Sequence, residues 1–216
     1  TSPPFLALRS YLPDDHPDKA KEIGAEATPA EFIDTLLHLT AEWGRLLAPH
    51  GSICVELGDT YSGGGGGDAR KKNAQRDGWP LDKSLCGIPT LYAWSLAYGR
   101  NLLTGEPSPA GQWRVRNLVA WVRPNPVVGA LGDKFRPATS YLTIATRARD
   151  RYFDLDAVRT ELKPGSEKPG GMPRGRLGES GDGGRWREGH KKPRSGSNPA
   201  GAPPLDWWEV PPGGYE

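Results

Sequence analysis

Residues 51–59, Gly-Ser-Ile-Cys-Val-Glu-Leu-Gly-Asp, decide how this chain folds. Positions 52–57 form an apolar run of strand length, entered through a turn at Pro49-His50-Gly51 and left through Gly58-Asp59. An acid just beyond a strand's carboxyl end stands where open α/β sheets bind ligands. Asp59 is therefore a candidate site residue, with two roles open to it: orienting a functional loop, or capping backbone N–H groups of its own turn.

Working outward, Thr28-Pro29-Ala30-Glu31 supplies an N-cap hydroxyl, a proline at the first helical position and a glutamate at the third. Phe32, Ile33, Leu36, Leu37, Leu39, Trp43, Leu46 and Leu47 follow mostly at helical spacing, and Pro49 is the expected stop. Downstream, five glycines at 63–67 lead into the basic cluster Arg70-Lys71-Lys72, a length that predicts a flexible functional loop. No Gly-Lys-Ser/Thr follows, which argues against a nucleotide phosphate loop. Pro89-Thr90 opens a second helix through Leu91, Trp94, Leu96 and Ala97 to Gly99. Strands are predicted at 113–122 and 141–146, flanking the connection Arg123-Pro124-Asn125-Pro126, and one or two helical turns at 154–162. Helix, strand, helix and strand pair predict an α/β sheet with helices on its faces. Trp94, Trp113, Trp121 and Tyr141 read as core side chains.

Composition divides the 216 residues. Gly (29) and Pro (22) are abundant, net charge is +2, and Leu, Ile, Val and Phe together number only 39. Of these, 36 lie in residues 1–162, whereas residues 163–204 hold only Leu177. A foldable block is thus expected, followed by a Gly/Pro-rich basic loop at 163–204, after which LDWWEV (205–210) is apolar enough to return to a core as a short strand. No apolar run approaches the roughly 18 residues that span a bilayer, and no charged-then-apolar leader is seen, so nothing marks the chain as membrane-bound or secreted and no membrane association is expected. Cys54 and Cys86 are too few for a disulfide framework or a zinc site and read as buried thiols; the four histidines form no cluster.

Thr1-Ser2-Pro3-Pro4-Phe5 resembles the catalytic motif of amino-directed DNA methyltransferases, in the form typical of cytosine-N4 members. The order of later segments is similar to the same family: a strand ending in Gly58-Asp59, a helix opened by Gly87-Ile88-Pro89, Trp121-Val122-Arg123-Pro124-Asn125-Pro126, then DKFRPATSYLTIATR (133–147) and Tyr152-Phe153-Asp154. The resemblance implies an α/β, Rossmann-like S-adenosylmethionine-dependent core, with residues 1–150 a partial catalytic region and 151–216 a partial target-recognition region. It implies methyl transfer from S-adenosylmethionine to cytosine N4 in double-stranded DNA, with adenine N6 the nearest rival and a non-catalytic DNA-binding module a third reading.

The chemistry explains the residue types. An exocyclic amine is a poor nucleophile because its lone pair is conjugated into the ring. Two acceptors for its hydrogens, which the resemblance assigns to Ser2 Oγ and the Pro3 carbonyl, free that lone pair. Pro3 and Pro4 hold the carbonyl stiffly, and Phe5 stacks on the base once it has left the duplex. No covalent enzyme intermediate or metal is needed. Residues 112–151 carry a local charge balance of +6, and Arg123, Asn125, Lys134 and Arg136, with Arg70, Lys71 and Lys72 on the glycine loop, are the candidate DNA contacts.

Departures from the family pattern accompany the likeness. Thr139-Ser140 stands where many members carry His-Glu, and no glycine-rich cofactor loop of the type Asp-Pro-Phe-x-Gly-Ser-Gly occurs. The residues that would bind S-adenosylmethionine are therefore unassigned, and the chain is expected to be an internal fragment of a longer enzyme. A cognate restriction nuclease and a homodimer are partners the resemblance leaves open.

Overall fold

The computed structural model describes residues 1–63, 76–126, 132–162 and 201–210. Two compact units are distinguished, one of Thr1–Tyr152 with Asp206–Glu216, the other of Phe153–Leu205.

In the first unit, helix α1 (Pro29–Leu46) begins as its capping residues dictate: Thr28 Oγ1 accepts from the Glu31 N–H at 3.2 Å, and Glu31 Oε2 accepts from the Ala27 N–H at 3.1 Å. Phe32, Ile33, Leu36, Leu37, Thr40 and Gly44 form its buried stripe. Gly44 lets the helix close on Trp113, since a Cβ there would lie 3.0 Å from the indole. The helix ends three residues before Pro49, with Leu47 already extended and Leu46 81 % exposed, so Leu46 falls outside the stripe predicted for it.

Strand β1 (Ser52–Leu57) occupies the predicted residues. Helix α2 (Ile88–Tyr98) is bracketed by Gly87 and Gly99, at φ +74 and +68, conformations only glycine adopts without strain. Strands β2 (Arg114–Val122) and β3 (Thr139–Thr146) pair antiparallel through a bulge at Arg116, and β4 (Trp207–Glu209) adds parallel to β2. The sheet order is β1-β3-β2-β4. Since β1 and β2 each run antiparallel to β3, they are parallel to one another; the segment carrying α2 is the crossover between them, and β3 fills the gap.

Register fixes the faces. Ile53, Val55 and Leu57 pair with Ala145, Thr143 and Tyr141, and this face carries the core. Both helices contribute to that core: Thr40 of α1 and Tyr92 of α2 share a buried hydroxyl contact of 2.7 Å. The helices expected against the sheet, α1 and α2, both pack on this one face.

Three further expectations are corrected. Cys54 is exposed, because its alternation with Val55 turns it to the opposite face; Cys86 is buried, and both are free thiols. Trp94 is 48 % exposed, since α2 is apolar on all sides and only part of its surface meets the core. Trp207, Trp208 and Val210 pair at the sheet edge but stay exposed rather than re-entering the core. Trp113 is buried as expected, and Trp121 and Tyr141 are half-buried.

In the second unit, the turns predicted at 154–162 shrink to a single 3-10 turn, Asp156–Val158. Asp154 Oδ1 accepts from the Ala157 N–H, but Thr160 then pairs reciprocally with Ala202 at 3.0 and 2.9 Å, and that extended pairing ends any helix. Most of the loop expected at 163–204 lies outside the described residues.

Candidate functional site

The first five residues are fixed from the sheet outward. The Thr1 amine donates to the Cys54 carbonyl and the Glu56 N–H donates to the Thr1 carbonyl, both at 2.9 Å. This is parallel pairing opposite Val55, and it runs Ser2-Pro3-Pro4 beside the carboxyl half of β1. Ser2 is exposed, Pro3 buried, Pro4 and Phe5 half-buried, and Leu6 sinks into the core. Neither proline carries an N–H that would need a partner.

Glycines make room for Phe5. A Cβ on Gly58 would stand 2.6 Å from Phe5 Cε2, so the ring lies directly against that backbone. Gly24, at φ +92, lets the backbone pass the Phe5 carbonyl, where a Cβ would come to 2.8 Å. The Ala7 N–H donates to the Gly24 carbonyl at 2.8 Å, fixing the turn that follows.

Asp59 follows Gly58. Its Oδ1 accepts from the Thr60 N–H at 2.9 Å and the Ile88 N–H at 3.1 Å, and its Oδ2 from the Gly87 N–H at 2.9 Å. A carboxylate on the first N–H groups of α2 also meets the positive end of the helix dipole. Of the two roles open to it, the geometry displays the cap, and that cap ties the end of β1 to the start of α2.

Beside Asp59 opens a cleft of about 800 Å³, whose lining includes Tyr61, Thr90, Lys134, Phe135, Arg136 and Tyr141. Lys134 Nζ lies 3.8 Å from the centre of the Tyr61 ring. Lys83 Nζ meets Asp133 Oδ2 at 2.9 Å; that hydrogen bond raises the Lys83 pKa and lowers that of Asp133. Cys86 is buried nearby, and its thiol is pushed up to about 11, first by burial and then by the Asp59 carboxylate.

Of the residues singled out from sequence, Asp59, Lys134 and Arg136 line this cleft, whereas Phe5 does not line it but packs on Gly58, the residue before Asp59. Ser2, Pro3, Pro4, Arg123 and Asn125 do not line the cleft either. Asn125 is exposed. Arg70, Lys71 and Lys72 lie outside the described residues. Arg123 is held instead at the sheet: its Nη1 donates to Ser140 Oγ at 3.4 Å, and Ser140 Oγ donates to Glu56 Oε1 at 2.6 Å.

Glu56 and Tyr61 carry no mark in the sequence, and Ser140 stands out there only as part of the Thr139-Ser140 departure from the family pattern. Strict alternation along β1 does set Glu56 opposite in direction to Val55 and Leu57, but its partner on β3 depends on register. Among the described residues no group of His, Cys, Asp and Glu could hold a metal ion, and no helix is long and apolar enough to cross a membrane.

The sequence profile of the N6/N4 DNA methylase family matches residues 1–214. Among curated proteins, the chain is 30 % identical over 175 residues to the type II methyltransferase M.Cfr9I of Citrobacter freundii, covering 76 % of this chain and 52 % of that protein. It is 26 % identical over 164 residues to the type II methyltransferase M.SfiI of Streptomyces fimbriatus (74 % and 33 %), and 25 % identical over 170 residues to M.SmaI of Serratia marcescens (74 % and 52 %). The chain thus spans between about a third and a half of the length of these relatives.

Proposed function

Because the chain belongs to the DNA methylase family, with the Rossmann-like α/β core of that family, we propose that it forms the methyl-acceptor side of a site-specific DNA methyltransferase. The substrate is double-stranded DNA in a bacterial or phage-infected cytoplasm, the methyl donor S-adenosylmethionine, and the acceptor cytosine N4. A cognate restriction nuclease is the natural partner, as the relatives are named type II methyltransferases.

The observation that carries this reading is the position of Phe5 on Gly58. It brings the Ser2-Pro3-Pro4-Phe5 segment to the carboxyl end of β1, one residue from the cleft-lining Asp59. A base turned out of the duplex there meets Phe5 as a stacking surface, while Ser2 Oγ and the Pro3 carbonyl accept the two amine hydrogens. The nitrogen pyramidalises and its lone pair becomes available. Asp59 acts as a positioning residue, since its oxygens are engaged by backbone N–H groups. Lys134, Arg136, Arg123 and Asn125, with Arg70, Lys71 and Lys72, supply the phosphate contacts.

S-adenosylmethionine provides the electrophilic methyl when bound, but the described residues do not fit it. The sulfonium is cationic and the cleft presents Lys134 and Arg136; Asp59 is already engaged by three N–H groups and Asp133 by Lys83. What the described residues offer is the preparation of the amine.

The test uses the protein expressed from its full reading frame. Ser2→Ala and Phe5→Ala are each expected to lower methyl transfer by about 10²-fold, the usual loss when a positioned transition-state partner is removed. Retained binding of duplex and cofactor should accompany that loss. Near-normal turnover in both variants would overturn the site assignment.

A further inference from the structure

Phe135 is 97 % exposed, the most exposed of the large apolar side chains described, and it stands between two exposed cations, Lys134 and Arg136, on the wall of the cleft. Its neighbours in the chain are engaged on both sides. Asp133 is paired with Lys83, and Lys134 rests on Tyr61, which itself bridges to Leu85. Three residues beyond Phe135, the Ala138 carbonyl accepts from the Arg123 N–H at 2.8 Å at the end of β2. An aromatic ring presented to water from a tethered loop, with positive charge on either side, has the chemistry of a wedge for a nucleic-acid base stack. The cations meet phosphates while the ring replaces a missing stacking partner.

We propose that Phe135 inserts into the gap in the base stack of duplex DNA from which a nucleotide has been withdrawn. This rests on the DNA-acting reading above and adds a base-stack contact that does not overlap Phe5, which is half-buried on Gly58 and faces the withdrawn base itself. The two aromatic rings thus have separate tasks, one on the extruded base and one in the space it leaves.

The test compares the binding of two duplexes by fluorescence anisotropy, one intact and one carrying a single abasic site. The unaltered protein should prefer the interrupted duplex by about tenfold, in the range of one base–aromatic stack. Phe135→Ala should lose that preference while keeping its affinity for intact duplex and its salt slope, and Phe135→Tyr should keep it. Arg136→Ala should weaken both duplexes equally and reduce the salt slope by about one. An unchanged preference in Phe135→Ala, or none in the unaltered protein that still binds duplex, overturns the wedge alone. Failure of the unaltered protein to bind any duplex overturns the DNA-acting reading with it. Phe135→Ala that dissolves a dimer and leaves DNA binding unchanged would assign the ring to a protein contact and refute the wedge.

Discussion

Gly58 is the residue on which the geometry of the candidate site turns. Its missing side chain is the space in which Phe5 sits, and a methyl group there would overlap the ring edge at 2.6 and 2.8 Å. Gly58→Ala should therefore destabilise the protein by about 1–3 kcal/mol, the usual cost of overpacking, as read from urea unfolding. Combining it with Phe5→Ala should recover most of that loss, because the ring is what the methyl group meets. The two thiols differ as sharply. Cys54 is exposed and Cys86 is buried with its pKa pushed up to about 11, so iodoacetamide at neutral pH should label Cys54 and spare Cys86 until the protein unfolds. A raised folded-state pKa means that the Cys86 contribution to stability is present in full below the ordinary thiol value of about 9 and is lost as pH rises from there through about 11.

At the scale of elements, the junction of β1 with α2 depends on one carboxylate. Asp59→Ala leaves three backbone N–H groups without their acceptor and should cost about 1–2 kcal/mol, the upper range for loss of a helix cap. The centre of the sheet carries an opposite opportunity: the Thr143 hydroxyl is buried and, among the described residues, has no hydrogen-bond partner. Thr143→Val keeps the shape, removes the orphaned group and should raise stability by about 1 kcal/mol in the same unfolding assay. The segment after the site motif is clamped by Glu22, whose carboxyl is held below its usual range first by the Lys19 ammonium and then by the Tyr11 N–H. A lowered folded-state pKa means this clamp is complete above the ordinary glutamate range. Amide protection around residues 10–22, measured relative to the exchange rate of the free chain at each pH, should fall only in acid, as pH drops from the ordinary glutamate range through the depressed value.

Over the whole molecule, the elements between residues 28 and 146 are legible in the sequence for local reasons. Thr28 and Pro29 announce α1, Gly87 and Gly99 bracket α2, and β1 is bounded by glycines, all features set by neighbours in the chain. Legibility fails where a partner distant in sequence decides. The insertion of β3 between β1 and β2, the packing of α1 and α2 on the same face and the exposed edge strand β4 follow from register, which a strand's own composition does not contain. The site divides in the same way. Thr1-Ser2-Pro3-Pro4-Phe5 is recognisable as a motif, and Asp59 from its place after β1. The Glu56–Ser140–Arg123 chain depends on β1, β2 and β3 being brought side by side, so nothing local marks it.

The central claim is that Ser2 and the Pro3 carbonyl prepare a cytosine amine for methylation. It is tested most directly by treating unmethylated duplex DNA with the protein expressed from its full reading frame and S-adenosylmethionine, digesting it to nucleosides and identifying the methylated product by mass. N4-methylcytosine, lost in Ser2→Ala, is the predicted result; N6-methyladenine as the sole product would contradict it.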